Sequence, residues 1–267
     1  MSDGSLLDAL VAAALQAGRA AHQIYQADFT VRTKADDSPV TAADQLAEDL
    51  ILRALAQHAP GIAVVAEEQV AAGHVPAPAA EFFLVDPLDG TQEFIHRRGE
   101  FTVNIALIRA AQPVLGVVYA PVSGALYVGD VAAGRAQRAQ LDPLQPAALA
   151  FEPIRVRAVP AAGLTAVASR SHRSSQTDAY LARYRIARLL SVGSSLKFCM
   201  LACGEADLYP RLGPTMEWDT AAGQAVLVAA GGAVFAADGQ PLRYGKPQFR
   251  NPWFVASGTL VPHGLAA

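Results

Sequence analysis

Apolar side chains recur at helical spacing in two stretches near the start of the chain. The first covers residues 5–26, where Ser5 followed three positions later by Asp8 matches the capping box that opens a helix. The second is predicted to begin at Thr41, with Asp44 at the third helical position. The N-terminal part of the chain is therefore predicted to contain two helices.

A polar segment, Phe29–Pro39, separates the two predicted helices. Its composition predicts a loop in which Lys34, Asp36 and Asp37 are exposed. Because this loop precedes Asp44, it could be a lid over a site beside that residue or simply a mobile connection. The sequence leaves both readings open.

Two short apolar runs of strand length come next, and each ends directly at an acidic residue. Glu67 and Glu68 follow the run Ile62–Ala66, and Asp86 follows the run Phe82–Val85. Acids at strand ends are typical of sites in open α/β sheets. These positions are the first candidates for chemistry in the chain.

Three β-rich runs then alternate with short Pro/Gly turns and predict an antiparallel meander. They cover residues 101–108, 114–121 and 124–131. Residues 140–163 are rich in Pro and Ala and predict a linker or surface excursion. We therefore expect an N-terminal α+β lobe over residues 1–145 and a second lobe over residues 146–267.

The second lobe alternates strand-like and helix-like segments, which predicts an α/β arrangement. The predicted order is a strand at 164–169, a helix near Ser175–Arg185, a strand at 186–192, a helix from Ser194 to Cys203, a strand at 206–211, and a helix from Asp219 to Ala230. The whole chain is thus assigned to the α/β class.

Composition limits the classes of function. The 267 residues are 52% hydrophobic and 17% charged with a formal net charge of −3, which excludes disorder and gives no electrostatic support for binding a nucleic-acid polymer. Cys199 and Cys203 are predicted to be unpaired core thiols of a reducing compartment. Asp3 and Asp8 are unlike a secretory signal, and residues 225–237 are too short to span a bilayer. We expect a cytoplasmic monomer or homodimer, with peripheral association at the inner membrane as an open alternative.

Four acids lie at the edges of predicted elements rather than on solvated helix faces: Glu67, Asp86, Asp89 and Asp219. Pro87 and Gly90 allow a tight turn that brings Asp86 and Asp89 together near the amides of Gly90 and Thr91. Converging carboxylates need a cation, and hard oxygen ligands favour Mg²⁺ or Mn²⁺ over zinc. Amides beside such ions favour a phosphate ligand, although this spacing alone also fits an ordinary turn.

Three segments in this order resemble the inositol monophosphatase superfamily of Mg²⁺-dependent, lithium-sensitive phosphatases. They are the acidic pair at 67–68, DPLDGT at 86–91 and WDTAAG at 218–223. The longer strings at 91–108, 169–172, 193–199 and 206–223 are similar to the 3′(2′),5′-bisphosphate nucleotidase branch. The resemblance implies alternating helix and sheet layers, two lobes with the active site between them, and removal of the 3′-phosphate from adenosine 3′,5′-bisphosphate.

The resemblance also implies a ligand set for two or three Mg²⁺ ions, for which Mn²⁺ could substitute. Glu67, Asp86 and the Leu88 carbonyl would hold the first ion, and Asp86, Asp89 and Asp219 would hold the second. All of these ligand types are present in the chain. The sequence therefore contains every metal ligand that the resemblance implies.

The catalytic residues implied by the resemblance are Asp44, Thr91 and Glu67, with Thr91 and Asp44 orienting and deprotonating the attacking water. No covalent enzyme intermediate is expected. The chain departs from the family pattern at Ala66, where Gly or Ser usually precedes the acidic pair. None of the proposed ligands is affected by that departure.

Substrate preference depends on cationic residues. Arg211 stands where inositol phosphatases of the superfamily carry an acid, which favours a second anionic group on the substrate. The residues expected to contact substrate are Gly90, Thr91, Ser169, His172, Gly193, Lys197, Arg211 and Asp219. An inositol or sugar monophosphatase of the same fold, and a non-catalytic scaffold that only binds metal, remain as alternatives.

Overall fold

The computed structural model describes residues 3–34, 39–77, 79–142, 149–170 and 173–265. Seven α-helices lie in this part of the chain: α1 (Asp3–Gln26), α2 (Ala42–His58), α3 (Glu67–Ala71), α4 (Thr91–Ile95), α5 (Ser175–Leu181), α6 (Leu196–Ala202) and α7 (Ala221–Ala229). A short 3-10 helix covers Pro247–Phe249. None of the helices in these ranges combines the length and apolar character that a bilayer crossing requires.

The strands form a two-stranded hairpin and two larger sheets. The hairpin is β1 (Val31–Thr33) with β2 (Pro39–Thr41). The larger sheet has seven strands in spatial order: β3 (Ala63–Ala66), β4 (Glu81–Asp89), β5 (Thr102–Arg109), β6 (Gln112–Ala120), β7 (Ala125–Asp130), β8 (Arg135–Gln140) and β9 (Glu152–Pro153). Only β3 and β4 pair in parallel, and the other neighbours are antiparallel.

The second sheet has five strands and mixed direction. Its spatial order is β11 (Ile186–Val192), β10 (Leu164–Ser169), β12 (Leu208–Arg211), β14 (Phe254–Ser257) and β13 (Ala233–Ala236). The strand β10 pairs in parallel with β11 and β12, whereas β14 is antiparallel to both β12 and β13. The predicted strands 164–169 and 186–192 are confirmed at the residues named.

Helices and sheets alternate in five layers, as predicted. The helices α1 and α2 pack on one face of the seven-stranded sheet through an apolar cluster that includes Leu10, Ile51 and Phe83. The helices α6 and α7 fill the space between the two sheets, and α5 covers the outer face of the five-stranded sheet. Because α7 is buried on all sides, its sequence is apolar all round rather than amphipathic.

Several local expectations are corrected. The helix α1 already includes Asp3, so Ser5 lies inside it and is not its cap, and Asp3 instead receives two hydrogen bonds from Arg109. The capping box at Thr41 and Asp44 is confirmed. The segment predicted to be a loop contains the β1–β2 hairpin, while Asp36 and Asp37 lie outside the described residues.

The boundaries in the middle and at the end of the chain also differ. The predicted linker 140–163 contains the last strand of the seven-stranded sheet, and the boundary placed at residue 145 lies outside the described residues. Strands β8, β13 and β14 were not predicted, because their patterns are short or lack clean alternation. One apolar cluster connects both sheets through α6 and α7, so the division into two lobes stays a prediction.

Two glycines allow α7 to approach the seven-stranded sheet closely. Gly116 on β6 and Gly129 on β7 are cross-strand partners, and both face this helix. A Cβ atom on Gly116 would lie 2.5 Å from the Ala222 carbonyl oxygen, and one on Gly129 would lie 2.7 Å from the Ala225 carbonyl oxygen. Backbone atoms cannot move away cheaply, so both positions require glycine.

We expect Gly129→Ala to lower the free energy of unfolding by about 1–3 kcal/mol, because the added methyl group overpacks the interface between helix and sheet. Urea denaturation followed by circular dichroism measures the change. Gly4→Ala is the matched control, since nothing lies within 4 Å of a Cβ there. Equal stability of the two variants would contradict the close approach of α7.

Candidate active site

The strand β4 carries two of the predicted metal ligands at its C-terminal end. It extends to Asp89 rather than ending at Val85, and Asp86 pairs with Asn104 while Asp89 pairs with Thr102. The register shifts between these two pairs, so the β4 segment between the aspartates is a bulge. The bulge, rather than a free turn, brings the two carboxylates to one place.

Gly90 turns the chain from β4 into α4. Its φ of 99° lies in the left-handed region, and a Cβ atom there would be 3.2 Å from the Glu100 carbonyl oxygen. Both observations require glycine at this position. The turn places Thr91 at the start of α4, directly beside the two aspartates.

Asp219 reaches the same place from the other half of the chain, immediately before α7. Its Oδ2 accepts a hydrogen bond of 2.8 Å from the Met216 amide. The Ser195 hydroxyl lies 2.9 Å from Asp89 Oδ2 and 2.7 Å from the Asp219 carbonyl oxygen. Ser195 therefore links acids that are far apart in sequence.

Burial and mutual repulsion dominate the electrostatics of the acids. Burial raises the pKa of Asp86 well above its usual range, and the charges of Glu67, Asp89 and Asp219 raise it further. The pKa values of Asp89 and Asp219 are also raised, again first by burial. Such a cluster is unfavourable unless positive charge compensates it.

A lysine supplies part of that positive charge. The Nζ atom of Lys34 lies 2.6 Å from Glu67 Oε1 and 2.5 Å from Glu68 Oε1, and its side chain is only 8% exposed. Burial alone would lower the pKa of Lys34, but the two glutamates outweigh burial and raise it. The prediction that Lys34 is exposed is therefore wrong, because the hairpin turns it toward the acidic pair.

The donor set fits Mg²⁺. Within the described ranges, no three His, Cys, Asp or Glu side chains converge into a complete ligand set, and Glu67 is engaged by Lys34. Each aspartate nevertheless uses one oxygen for hydrogen bonds, namely Asp86 Oδ1, Asp89 Oδ2 and Asp219 Oδ2. Their other oxygens accept no hydrogen bond from the described residues. Unpaired carboxylate oxygens are the ligands that Mg²⁺ prefers.

Asp44 has a structural partner and a second partner in the site. Its Oδ2 accepts hydrogen bonds of 2.7 Å from both the amide and the hydroxyl of Thr41, which caps α2. The Thr91 hydroxyl lies 3.3 Å from the other oxygen, Oδ1, and 3.5 Å from the Leu88 carbonyl oxygen. The predicted pairing of Thr91 with Asp44 is thus present in the geometry.

Glu48 is a further acid that the sequence argument did not single out. It lies one helical turn after Asp44 on α2, and its carboxylate accepts a hydrogen bond of 2.8 Å from the Glu68 amide. Burial raises the pKa of Glu48 to about 7. The spacing of four residues between two buried acids was the signal that could have identified it.

The acids open into a cavity of about 730 Å³. Of the residues predicted from sequence, those that line it are Glu67, Asp86, Leu88, Asp89, Gly90, Thr91, Ser169, Gly193, Lys197, Arg211 and Asp219. Asp44 lies behind Thr91, and His172 lies outside the described residues. Arg250 also lines the cavity and was not predicted.

Two buried cations face the acids across this cavity. Burial lowers the pKa of Lys197 to about 8, against the opposing effect of the Asp89 charge. Its Nζ donates to the Val192 and Ser194 carbonyl oxygens and lies 5.3 Å from the centre of the Tyr209 ring. Arg211 is 7% exposed, and its Nε–H is buried without a partner among the described residues. A buried cation that lines a cavity favours an anionic ligand there.

A cavity lined by buried acids and by buried cations is the arrangement of a metal-assisted phosphatase. The chain matches the Inositol monophosphatase family over residues 3–259, and it belongs to that family. It is 45% identical over 255 residues to the 3′(2′),5′-bisphosphate nucleotidase CysQ of Shigella flexneri, covering 94% of this chain and 99% of that protein. Identity to the CysQ of Escherichia coli (strain K12) is 44%, with the same coverage.

Solved structures agree with this assignment. The crystal structure of CysQ from Bacteroides thetaiotaomicron matches with a TM-score of 0.81 and 38% identity, covering 96% of this chain and 98% of that chain. An inositol monophosphatase from Anabaena matches with a TM-score of 0.74 and 27% identity, covering 96% and 92%. The predicted fold class and family resemblance are therefore confirmed.

We expect Mg²⁺ to raise the melting temperature, because a ligand that binds only the folded state stabilises it by about 2.7 kcal/mol at a hundredfold excess over its dissociation constant. For a chain of this length, that corresponds to a shift of roughly 5–10 °C. The raised carboxylate pKa values mean that metal-free stability falls as pH rises through them. The Mg²⁺ shift should therefore be larger at pH 8 than at pH 6.

Thermal melts with and without Mg²⁺ at both pH values measure this effect. Asp86→Asn should lose the shift. Asp130→Asn should keep it, since Asp130 is a buried strand-end acid outside the cavity. A melting temperature that Mg²⁺ leaves unchanged at pH 8 would exclude the metal site.

Proposed function

We propose that this protein hydrolyses the 3′-phosphate of adenosine 3′,5′-bisphosphate to give AMP and phosphate. The observation that carries the proposal is the single cavity in which the acids oppose buried Lys197 and Arg211. A substrate with two phosphate groups matches both sides of this cavity. The 3′(2′),5′-bisphosphate nucleotidase relatives support the same assignment.

We assign Mg²⁺ binding to the carboxylates of Glu67, Asp86, Asp89 and Asp219 and to the Leu88 carbonyl. When bound there, Mg²⁺ would neutralise phosphate charge and lower the pKa of a water ligand. Two ions are assigned to these five ligands, and a third ion stays a prediction. Lys34 contacts Oε1 of Glu67, so Oε2 is the oxygen that we assign to the metal.

The chain supplies a proton acceptor beside the reacting phosphate. The Thr91 hydroxyl donates to Asp44, so its own oxygen lone pairs point outward and can accept a hydrogen bond from water. Asp44 is held by Thr41 and cannot rotate away, which fixes the orientation of the Thr91 hydroxyl. We infer that this pair orients the attacking water and takes its proton.

No nucleophilic side chain is required by this scheme. Ser195 is occupied by hydrogen bonds to Asp89 and to the Asp219 carbonyl oxygen, so its hydroxyl supports the acids rather than attacking phosphorus. The side chain of Lys197, two residues after Ser195, donates to the backbone carbonyl oxygens of Val192 and Ser194. We therefore propose direct attack by water.

The phosphate that is not cleaved is assigned to the two buried cations. Arg211 has its Nη2 held by the Pro214 carbonyl oxygen, 2.7 Å away, which fixes the orientation of the guanidinium at the cavity. Lys197 is a compact charge on the same wall. We propose that Ser169, Gly193 and His172 contact the nucleoside, although His172 lies outside the described residues.

An inositol or sugar monophosphatase is the second candidate, and the 27% identity to the Anabaena inositol monophosphatase is the observation that favours it. A single phosphate would leave the buried charge of Arg211 without a partner, which is costly. Hydrolysis of adenosine 3′,5′-bisphosphate compared with inositol 1-phosphate at equal Mg²⁺ separates the two. Metal binding without turnover of either substrate would indicate a non-catalytic scaffold.

Location and assembly stay predictions. The unpaired thiols of Cys199 and Cys203 are consistent with a reducing, cytoplasmic environment. We expect a monomer or a homodimer, with peripheral association at the inner membrane as the alternative location.

Asp89→Asn should reduce kcat at least a hundredfold, because it removes a charged ligand of the second Mg²⁺ while retaining hydrogen-bonding capacity toward Ser195. Phosphate release at saturating Mg²⁺ measures the loss, and circular dichroism checks that the fold persists. Asp130→Asn is the matched control and should retain full activity. A near-normal rate for Asp89→Asn would refute the metal assignment.

Arg211→Gln should raise KM for adenosine 3′,5′-bisphosphate about tenfold to a hundredfold, the scale of a charge-assisted hydrogen bond. KM for inositol 1-phosphate should change much less. Arg211→Lys should restore only part of the affinity, because an ammonium group cannot reproduce the planar guanidinium. Arg188→Gln on exposed β11 is the control, and equal losses on both substrates would favour the monophosphatase candidate.

A further inference from the structure

An ion pair between Arg170 and Glu100 joins three segments at the edge of the cavity. The guanidinium binds the carboxylate through both oxygens, with Nε 3.0 Å from Oε2 and Nη2 2.8 Å from Oε1. Nη2 also donates to the Ser191 carbonyl oxygen at 2.7 Å, and the Gly193 amide donates to Glu100 Oε2 at 2.8 Å. One pair thus fixes the ends of β10 and β11 to the segment before β5.

The segment that this pair fixes needs external support. Gly193 is packed so closely that a Cβ atom would lie 2.8 Å from Glu93 Cγ and 2.9 Å from the Glu100 carbonyl oxygen. Ser194 follows with a φ of 48°, in the left-handed region that side chains disfavour. Backbone conformations of this kind persist only when their surroundings hold them in place.

The same segment connects to both functional halves of the cavity. Ser195 contacts Asp89, as described above, and Lys197 lies on the substrate wall. A shift at Gly193 would therefore move Lys197 relative to the acids. No hydrogen bond joins Arg170 or Glu100 to the acids of the site, so the pair affects the reaction through this loop and through its own charge.

The ion pair between Arg170 and Glu100 also affects the net charge next to Gly193. Glu100 is ionised, because its hydrogen bonds from Arg170 and Gly193 outweigh burial and lower its pKa. A bare carboxylate next to Gly193 would repel an anionic substrate, since Gly193 lines the cavity. Arg170 neutralises the charge of Glu100 by direct contact with its carboxylate.

We propose that Arg170 and Glu100 are positioning residues that hold the Gly193–Lys197 loop, and that they determine affinity for the part of the substrate remote from the cleaved phosphate. The inference rests on the proposed function for the identity of the substrate. The mechanical claim, that this pair orders the loop, stands independently of the substrate.

The kinetic test uses Arg170→Met, which keeps side-chain length and removes the charged fork. KM for adenosine 3′,5′-bisphosphate should rise about fivefold or more, while kcat and the kinetics on inositol 1-phosphate stay within about twofold. Arg170→Lys should recover part of the loss. Arg173→Gln is the matched control, because Arg173 pairs with Asp178 on the surface and does not line the cavity.

A double-mutant cycle tests whether the two residues act as one unit. Glu100→Gln keeps an acceptor for the Gly193 amide but loses the ion pair. If the residues act together, the double variant should have a KM no higher than that of Arg170→Met alone, since Glu100→Gln also removes the unpaired carboxylate. Independent, multiplying effects would overturn the pairing.

Amide hydrogen exchange without substrate tests the loop itself. Residues 193–197 should exchange faster in Arg170→Met than in the wild type or Arg173→Gln. Unchanged exchange would overturn the proposal whatever the substrate is, and equal losses on both substrates would overturn its specificity claim. A wild type that shows no preference for the bisphosphate would refute the proposed function, while the exchange result would still decide whether the pair orders the loop.

Discussion

Repulsion among buried carboxylates that line one cavity is the constraint on which the rest of this structure depends. Burial raises the pKa of Asp86, Asp89 and Asp219, and the charges of neighbouring acids raise these pKa values further. Positive charge and hydrogen-bond donors nearby offset part of this repulsion. Lys34 binds the neighbouring glutamates, and Ser195 occupies one oxygen of Asp89. The acids are therefore held in place but not fully compensated, which is the condition for binding divalent cations.

The layered architecture explains why the acids and the cations come from different parts of the chain. The seven-stranded sheet supplies Asp86 and Asp89 from β4, the second strand from its edge, where pairing with β5 holds both residues. The second sheet supplies Arg211 from β12, and α6 supplies Lys197. Because α6 and α7 share one apolar core with both sheets, the distance between the two walls is set by core packing.

Long periodic elements and the acidic motifs were predictable from the sequence, and the supporting contacts were not. The capping box at Thr41 and the strand at 164–169 have strong local signals, so both were located correctly. Lys34 was misassigned because its burial depends on Glu67 and Glu68, which are distant in sequence. The pairing of Arg170 with Glu100 has no local signature either, since it depends on how three strand ends meet. The local sequence pattern identifies candidate metal ligands, whereas tertiary packing determines which residues hold those ligands in place.

Asp44 combines two duties that most proteins give to separate residues. One oxygen completes the cap of α2, and the other accepts the hydrogen bond of the Thr91 hydroxyl, whose residue lines the acidic cavity. A substitution that removes both oxygens would cost activity and helix stability together, so inactive variants at this position would also be depleted by proteolysis in a cell. Genetic screens that score only loss of function could not separate the two causes. Selection for helix stability and selection for activity therefore both act on this position. Either one alone would be enough to retain the residue.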